Sequence, residues 1–171
     1  MARFHIVPEE STVDIAARSS LHPINTSMKG LEGFVEFEVQ GGGKINLTVA
    51  PKGELSFPVD LLRSGNPLED RELRKRIDAR RFPTISGKLT GMQDTGRQGR
   101  YLVSGDLTFR GVTNSYEDEM NIAPVDEGTI RLVGESRFDV RDFGMEPPRI
   151  LMLKVEPEVV VRVEMVARKE S

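Results

Sequence analysis

The fold this sequence predicts is a closed antiparallel β-barrel of about eight strands with one inserted α-helix, at about residues 67–80. Three observations carry that expectation. Short segments along most of the chain alternate apolar and polar side chains, the mark of half-buried strands. Residues 66–85, and no others, have the caps and spacing of a helix. One helix is too little to cover an open sheet of this size, so the sheet must close on itself, leaving no edge. With no repeat and no linker, the 171 residues read as one domain, 1–171.

The elements follow in order. Residues 4–7 make a short strand. Residues 11–19 alternate, with Val13, Ile15 and Ala17 on one face and Thr12, Asp14 and Arg18 on the other. Residues 21–33 mix small, polar and apolar side chains and are ambiguous. Residues 34–39 set Val35, Phe37 and Val39 against Glu36 and Glu38. A triple glycine then turns the chain into a return strand at 44–49. Pro51-Lys52-Gly53 leads into 54–61. In the helix, Asn66 caps, Pro67 suits the first turn, Glu69 reaches back and Leu73 and Ile77 share a face. Arg80-Arg81-Phe82-Pro83 ends it, because the residue before a proline avoids the α region. Further strands are expected at 84–92, 101–110, 112–122, 129–138 and 155–168.

Composition narrows the function. Hydrophobic residues make up 37% and charged ones 30%, which suits a globular domain. Lys and Arg total 24 against 27 Asp and Glu, a net charge of −3, so nucleic acid is not an expected partner. The absence of cysteine excludes disulfides and thiolate metal sites. The N-terminus lacks a signal-like apolar core, and no stretch approaches the roughly 20 apolar residues of an integral membrane helix, so a cytoplasmic location is expected.

Chemistry-bearing residues are few. The two histidines are His5, on a strand, and His22, before Pro23 at a strand end. No metal-ligand cluster, Walker loop or nucleophile elbow occurs, and no catalytic residue, cofactor or metal is assigned. Asp118 and Glu119 are adjacent in a strand and point to opposite faces, so they make a poor acid–base pair. Asp118 falls on the apolar face, which requires either a strand end or a hydrogen bond. The helix arginines read mainly as a solvated face with ion pairs such as Glu72–Arg76, the other reading being contact with an anionic lipid surface. The loop 141–148 and the methionines Met145 and Met152 suit an apolar opening or a packed loop.

Four motifs then point to a family. STVDIAARS near the start, FPTI at 82–85, VSGDLTFRGVT at 103–113 and FDVRDFGM at 138–145 occur in one order, and the last alternating strand fits as well. Over nearly its whole length the chain resembles the YceI-like family. That resemblance implies a lipocalin-like barrel with an apolar tunnel. It also implies a long isoprenoid ligand, such as a polyprenyl phosphate or isoprenoid quinone, and often a homodimer. Only Arg18 keeps the basic position after the second strand, while Gly87 and Asp118 replace a bulky and an apolar residue of the family pattern.

The leading reading is non-enzymatic binding, carriage or sequestration of a long isoprenoid or other lipid. Alternation assigns the apolar lining to Val35, Phe37, Val103, Leu107, Phe109, Tyr116, Met120, Val159, Val161 and Val163. Arg18, His22 and Arg141 are candidates for a polar mouth. The alternatives are a barrel with a filled core, acting as an interaction module, and an enzyme using His22 with Asp118 or Asp142.

Overall fold

The computed structural model describes residues 1–150 and 152–171. Its strands are β1 (Ala2–Ile6), β2 (Thr12–Ser19), β3 (Pro23–Lys29), β4 (Glu32–Phe37), β5 (Lys52–Pro58), β6 (Thr84–Asp94), β7 (Arg100–Phe109), β8 (Val112–Asp126), β9 (Thr129–Asp139), β10 (Arg149–Ile150) and β11 (Leu153–Lys169). One helix, α1 (Pro67–Ile77), lies between β5 and β6.

The pairing closes a ring. From β4 the antiparallel order runs through β5, β6, β7, β8, β9 and β11, and β11 pairs both β1 and β2. β1 and β2 lie end to end along β11, interrupted by the one-turn segment Pro8–Glu10. β3 and β4 likewise lie end to end along β2 and β1. Each such pair is one staggered wall strand, so the barrel has eight. Closure pairs most of the strand edges, and the two-residue period sends alternate side chains inward.

Local sequence explains the pieces that alternation misses. β3 alternates strictly in burial, with Ile24, Thr26 and Met28 inward, but Asn25, Thr26 and Ser27 hide this in the sequence. The expected return strand at 44–49 does not form. Only a Val39–Ile45 bridge remains, because Ile45 turns inward and its N–H donates to the Tyr101 hydroxyl at 3.1 Å. The expected strand 54–61 stops at Pro58, and a tight turn Val59–Leu61 follows.

The helix begins as expected. The Asn66 side chain accepts from the N–H groups of Leu68 (3.0 Å) and Glu69 (3.4 Å). The reciprocal contact comes from Ser64, whose hydroxyl accepts from the Asn66 N–H at 3.2 Å, and not from Glu69. The helix ends at Ile77, a turn before residue 80, because Asp78 takes a left-handed conformation at φ 60°. Arg110, at the β7–β8 turn, donates to the carbonyls of Ile77 (3.2 Å) and Phe143 (3.1 Å). That clamp ties the helix C-terminus and the segment Val140–Phe143 to one end of the barrel.

Packing differs between the two ends. Where β4, β6, β8 and β1 meet the long loop 38–51, Phe37 and Leu132 are 2% exposed and Tyr101 and Met165 3%. At the other end Ile77 is buried and Leu73 half-buried beneath α1. Between them the axis is hollow.

Candidate functional site

Small side chains open the space. Gly53, Gly87, Gly105 and Gly134 occupy inward positions on β5, β6, β7 and β9, in register with Leu55, Leu107 and Leu132 two residues away. A barrel interior filled evenly by large residues would have no such gap. Neighbours reclaim part of it. Met120 folds over Gly134, where an added Cβ would lie 2.9 Å from its terminal methyl, and Leu55 leans over Gly87. What remains is a cavity of about 400 Å3, within the size range of ligand sites.

The apolar candidates from Val35 and Phe37 on β4 to Val159, Val161 and Val163 on β11 all border this cavity, as do Val103, Leu107, Phe109, Tyr116 and Met120. Leu73 and Ile77 of α1 close it from above with Phe143 and Met145. Alternation had also put Ile15 and Ala17 inward, and they line it too. Ile24, Leu55, Phe57 and Phe138 complete the wall. Their signal was weak because their strands carry polar, glycine or proline neighbours.

The polar candidates stand elsewhere. Arg18, His22 and Arg141 are exposed and do not border the cavity. Arg141 is held by Asp139, with N–O contacts of 2.6–3.2 Å, and this pairing keeps the Asp139 carboxyl below its usual range. His22 contacts the Pro23 carbonyl through Nδ1 at 3.0 Å. It therefore assembles no acid–base pair with Asp118, which faces the cavity. Met152 is 94% exposed, so of the two loop methionines only Met145 lines the interior. Among the described residues no three His, Cys, Asp or Glu side chains converge as a metal site.

Two inward residues of β8 are polar, Asp118 and Tyr116. Asp118 lies in mid-strand on β8 and accepts a hydrogen bond from the Ser136 hydroxyl on β9. That bond answers the need for a partner at an inward carboxylate. Next along β8, the Tyr116 ring meets Phe138 edge-on at 4.7 Å. The Tyr116 hydroxyl is buried and has no hydrogen-bond partner among the described residues, nearby Asn114 giving its amide to the Asp142 carbonyl, and burial pushes the hydroxyl above its usual titration range.

A YceI-like domain model matches residues 4–167. Solved structures share the fold at low sequence identity. Burkholderia cenocepacia BcnA superposes with a TM-score of 0.77 at 14% identity, covering 94% of this chain and 98% of that one. A polyisoprenoid-binding domain from Saccharophagus degradans gives 0.76 at 12% identity, covering 98% of both. The Campylobacter jejuni YceI protein gives 0.69 at 15%, covering 86% and 85%. No curated protein matches the chain in sequence.

Proposed function

The chain belongs to the YceI-like family, and from that premise we propose that it binds, carries or sequesters a long apolar ligand of isoprenoid type inside its barrel, without catalysis. The observation that supports this most is the cavity itself, about 400 Å3 and walled by valine, leucine, isoleucine, phenylalanine and methionine. Moving ligand hydrocarbon from water into such a space gains about 25 cal/mol per Å2 buried, so tight binding needs no reacting group. The polyisoprenoid-binding description of the Saccharophagus degradans neighbour points the same way. The hollow axis also weighs against a wholly filled core.

Native mass spectrometry of freshly purified protein, with organic extraction of the same sample, tests the reading and reports whether a homodimer forms. A co-purifying lipid is expected. Added isoprenoid at about a hundred times its Kd should stabilise the fold by about 2.7 kcal/mol. No extracted lipid together with an unmoved Tm across chain lengths would sink the proposal. Among the described residues no helix is long and apolar enough to cross a membrane.

A further inference from the structure

Besides the outer edge of β3, which carries the isolated Ser27–Arg63 bridge, the barrel wall is incompletely paired at a seam between β8 and β9. β7 and β8 are paired along the whole of β7, and β9 is paired with β11 from Thr129 to Asp139. The β8–β9 ladder, by contrast, ends at Met120–Gly134. From Glu119 and Glu135 onward the two strands run side by side without backbone pairing. Side chains bridge this seam instead, Asp118 to Ser136 and Tyr116 to Phe138.

Behind the seam is the apolar cavity, and in front of it a polar groove on the outer face. Asp118, Glu119, Gly134, Glu135 and Ser136 border both. A ligand whose chain fills the cavity can meet polar partners here; the Asp70 carboxylate, which also borders the cavity under α1, is already taken by Ser64, whose N–H and hydroxyl donate to it at 2.8 and 2.7 Å. We propose that the seam is the head-group site, where Asp118 and Ser136 select a head that donates a hydrogen bond, an alcohol or an ammonium, over a phosphate. This rests on the carrier reading above and refines it.

The charges around the seam set the selectivity. Asp118 is an acidic side chain on the cavity wall and repels a like charge placed beside it. Lys88 also borders the cavity, but it alternates with inward Gly87 and Leu89 and its side chain is exposed. Arg100, Arg137 and Arg162 reach the outer groove, and each already has a carboxylate. Arg100 pairs with Glu119 at 2.8 Å, Arg137 with Glu158 at 3.1 Å and Arg162 with Glu164 at 2.9 Å. A phosphate arriving at the seam would have to displace one of these partners. A hydroxyl needs only to take the place of Ser136 as donor to Asp118, leaving the Ser136 hydroxyl to donate to the ligand oxygen.

The test is competition against the neutral fluorophore N-phenyl-1-naphthylamine, bound in the cavity. Competitors are geranylgeraniol, geranylgeranylamine and geranylgeranyl monophosphate, run on wild type, Asp118→Asn and Ser136→Ala. Wild type should bind the alcohol and the amine at least about ten-fold tighter than the phosphate, the size of one hydrogen bond to a charged group. Asp118→Asn should shrink that preference to about three-fold or less and weaken the amine most. Ser136→Ala should weaken the alcohol about three-fold or more. Equal or tighter phosphate binding by wild type would overturn the inference, as would a preference untouched by Asp118→Asn in protein that still binds the fluorophore. If the fluorophore and all three competitors fail to bind wild type, it is the carrier reading that falls.

Discussion

At one end of the barrel Phe37, Tyr101, Leu132 and Met165 are buried in the core. Away from that end the wall presents small inward residues, Ala17 on β2, Gly87 on β6 and Gly105 on β7, and the axis stays open. Both ends alternate inward and outward side chains with the same period. The difference lies in side-chain volume and in what covers each end. The packed end is stoppered by the loop 38–51, pinned where Ile45 donates to the Tyr101 hydroxyl. The open end is roofed by α1, which contributes Leu73 and Ile77 to the ceiling and is held by the buried Ile77 and by the Arg110 hydrogen bond to its C-terminal carbonyl. One half of the molecule therefore carries stability and the other carries room.

Substitutions should separate the two roles. Phe37→Ala, in the packed end, is expected to cost about 3–5 kcal/mol by denaturant unfolding, through lost burial and the cavity left behind. A cost under 1 kcal/mol would mean that this end is not the stabilising half. In the roof, Leu73→Asp puts a carboxylate against apolar side chains and should cost about 2–3 kcal/mol. Arg74→Ala on the same helix should stay within about 0.5 kcal/mol. Equal tolerance of both changes would show that α1 is not a seal.

Val161→Phe fills space in the open half. In a packed core such overfilling costs about 1–3 kcal/mol, but here the stability change should stay below about 1 kcal/mol. Binding of an apolar fluorophore should meanwhile fall at least about ten-fold. Retained binding would place the ligand elsewhere.

The smallest effect concerns pH at the packed end. Arg100 and Arg97 hold the Glu119 carboxyl below its ordinary value of 4.5. A depressed folded-state pKa adds stability above the unfolded value, and that stability is lost as pH falls through the folded one. Wild type should thus exceed Glu119→Gln slightly at neutral pH, and the two melting curves should converge as pH falls through the lowered folded-state pKa of Glu119. A gap that persists in acid would assign the effect to packing.

Alternation was enough to place Val103, Leu107, Phe109 and Tyr116 on one face, because a strand's period is two whatever it pairs with. It did not reveal β3, whose inward Thr26 and outward Asn25 look alike by polarity. Nor did it find the mouth. Arg18, His22 and Arg141 were chosen as polar residues near strand ends, yet each turns to solvent or to a local partner. Two of the polar groups that border the cavity, Asp118 and Ser136, lie in mid-strand, where a sequence offers no sign of which inward residues will face each other.

From the sequence alone came the barrel class, the single helix with its Asn66 cap, and the inward set of side chains. These follow from local rules of period, capping and turn chemistry that act within a few residues. Tertiary structure decided that the barrel is hollow at one end and packed at the other, and that β8 and β9 part beyond Met120 and Gly134. Both depend on how side chains from different strands share one volume. That sum is set only when the strands have closed, because Met120 folding over Gly134 and Leu55 leaning over Gly87 join residues that no local pattern brings together.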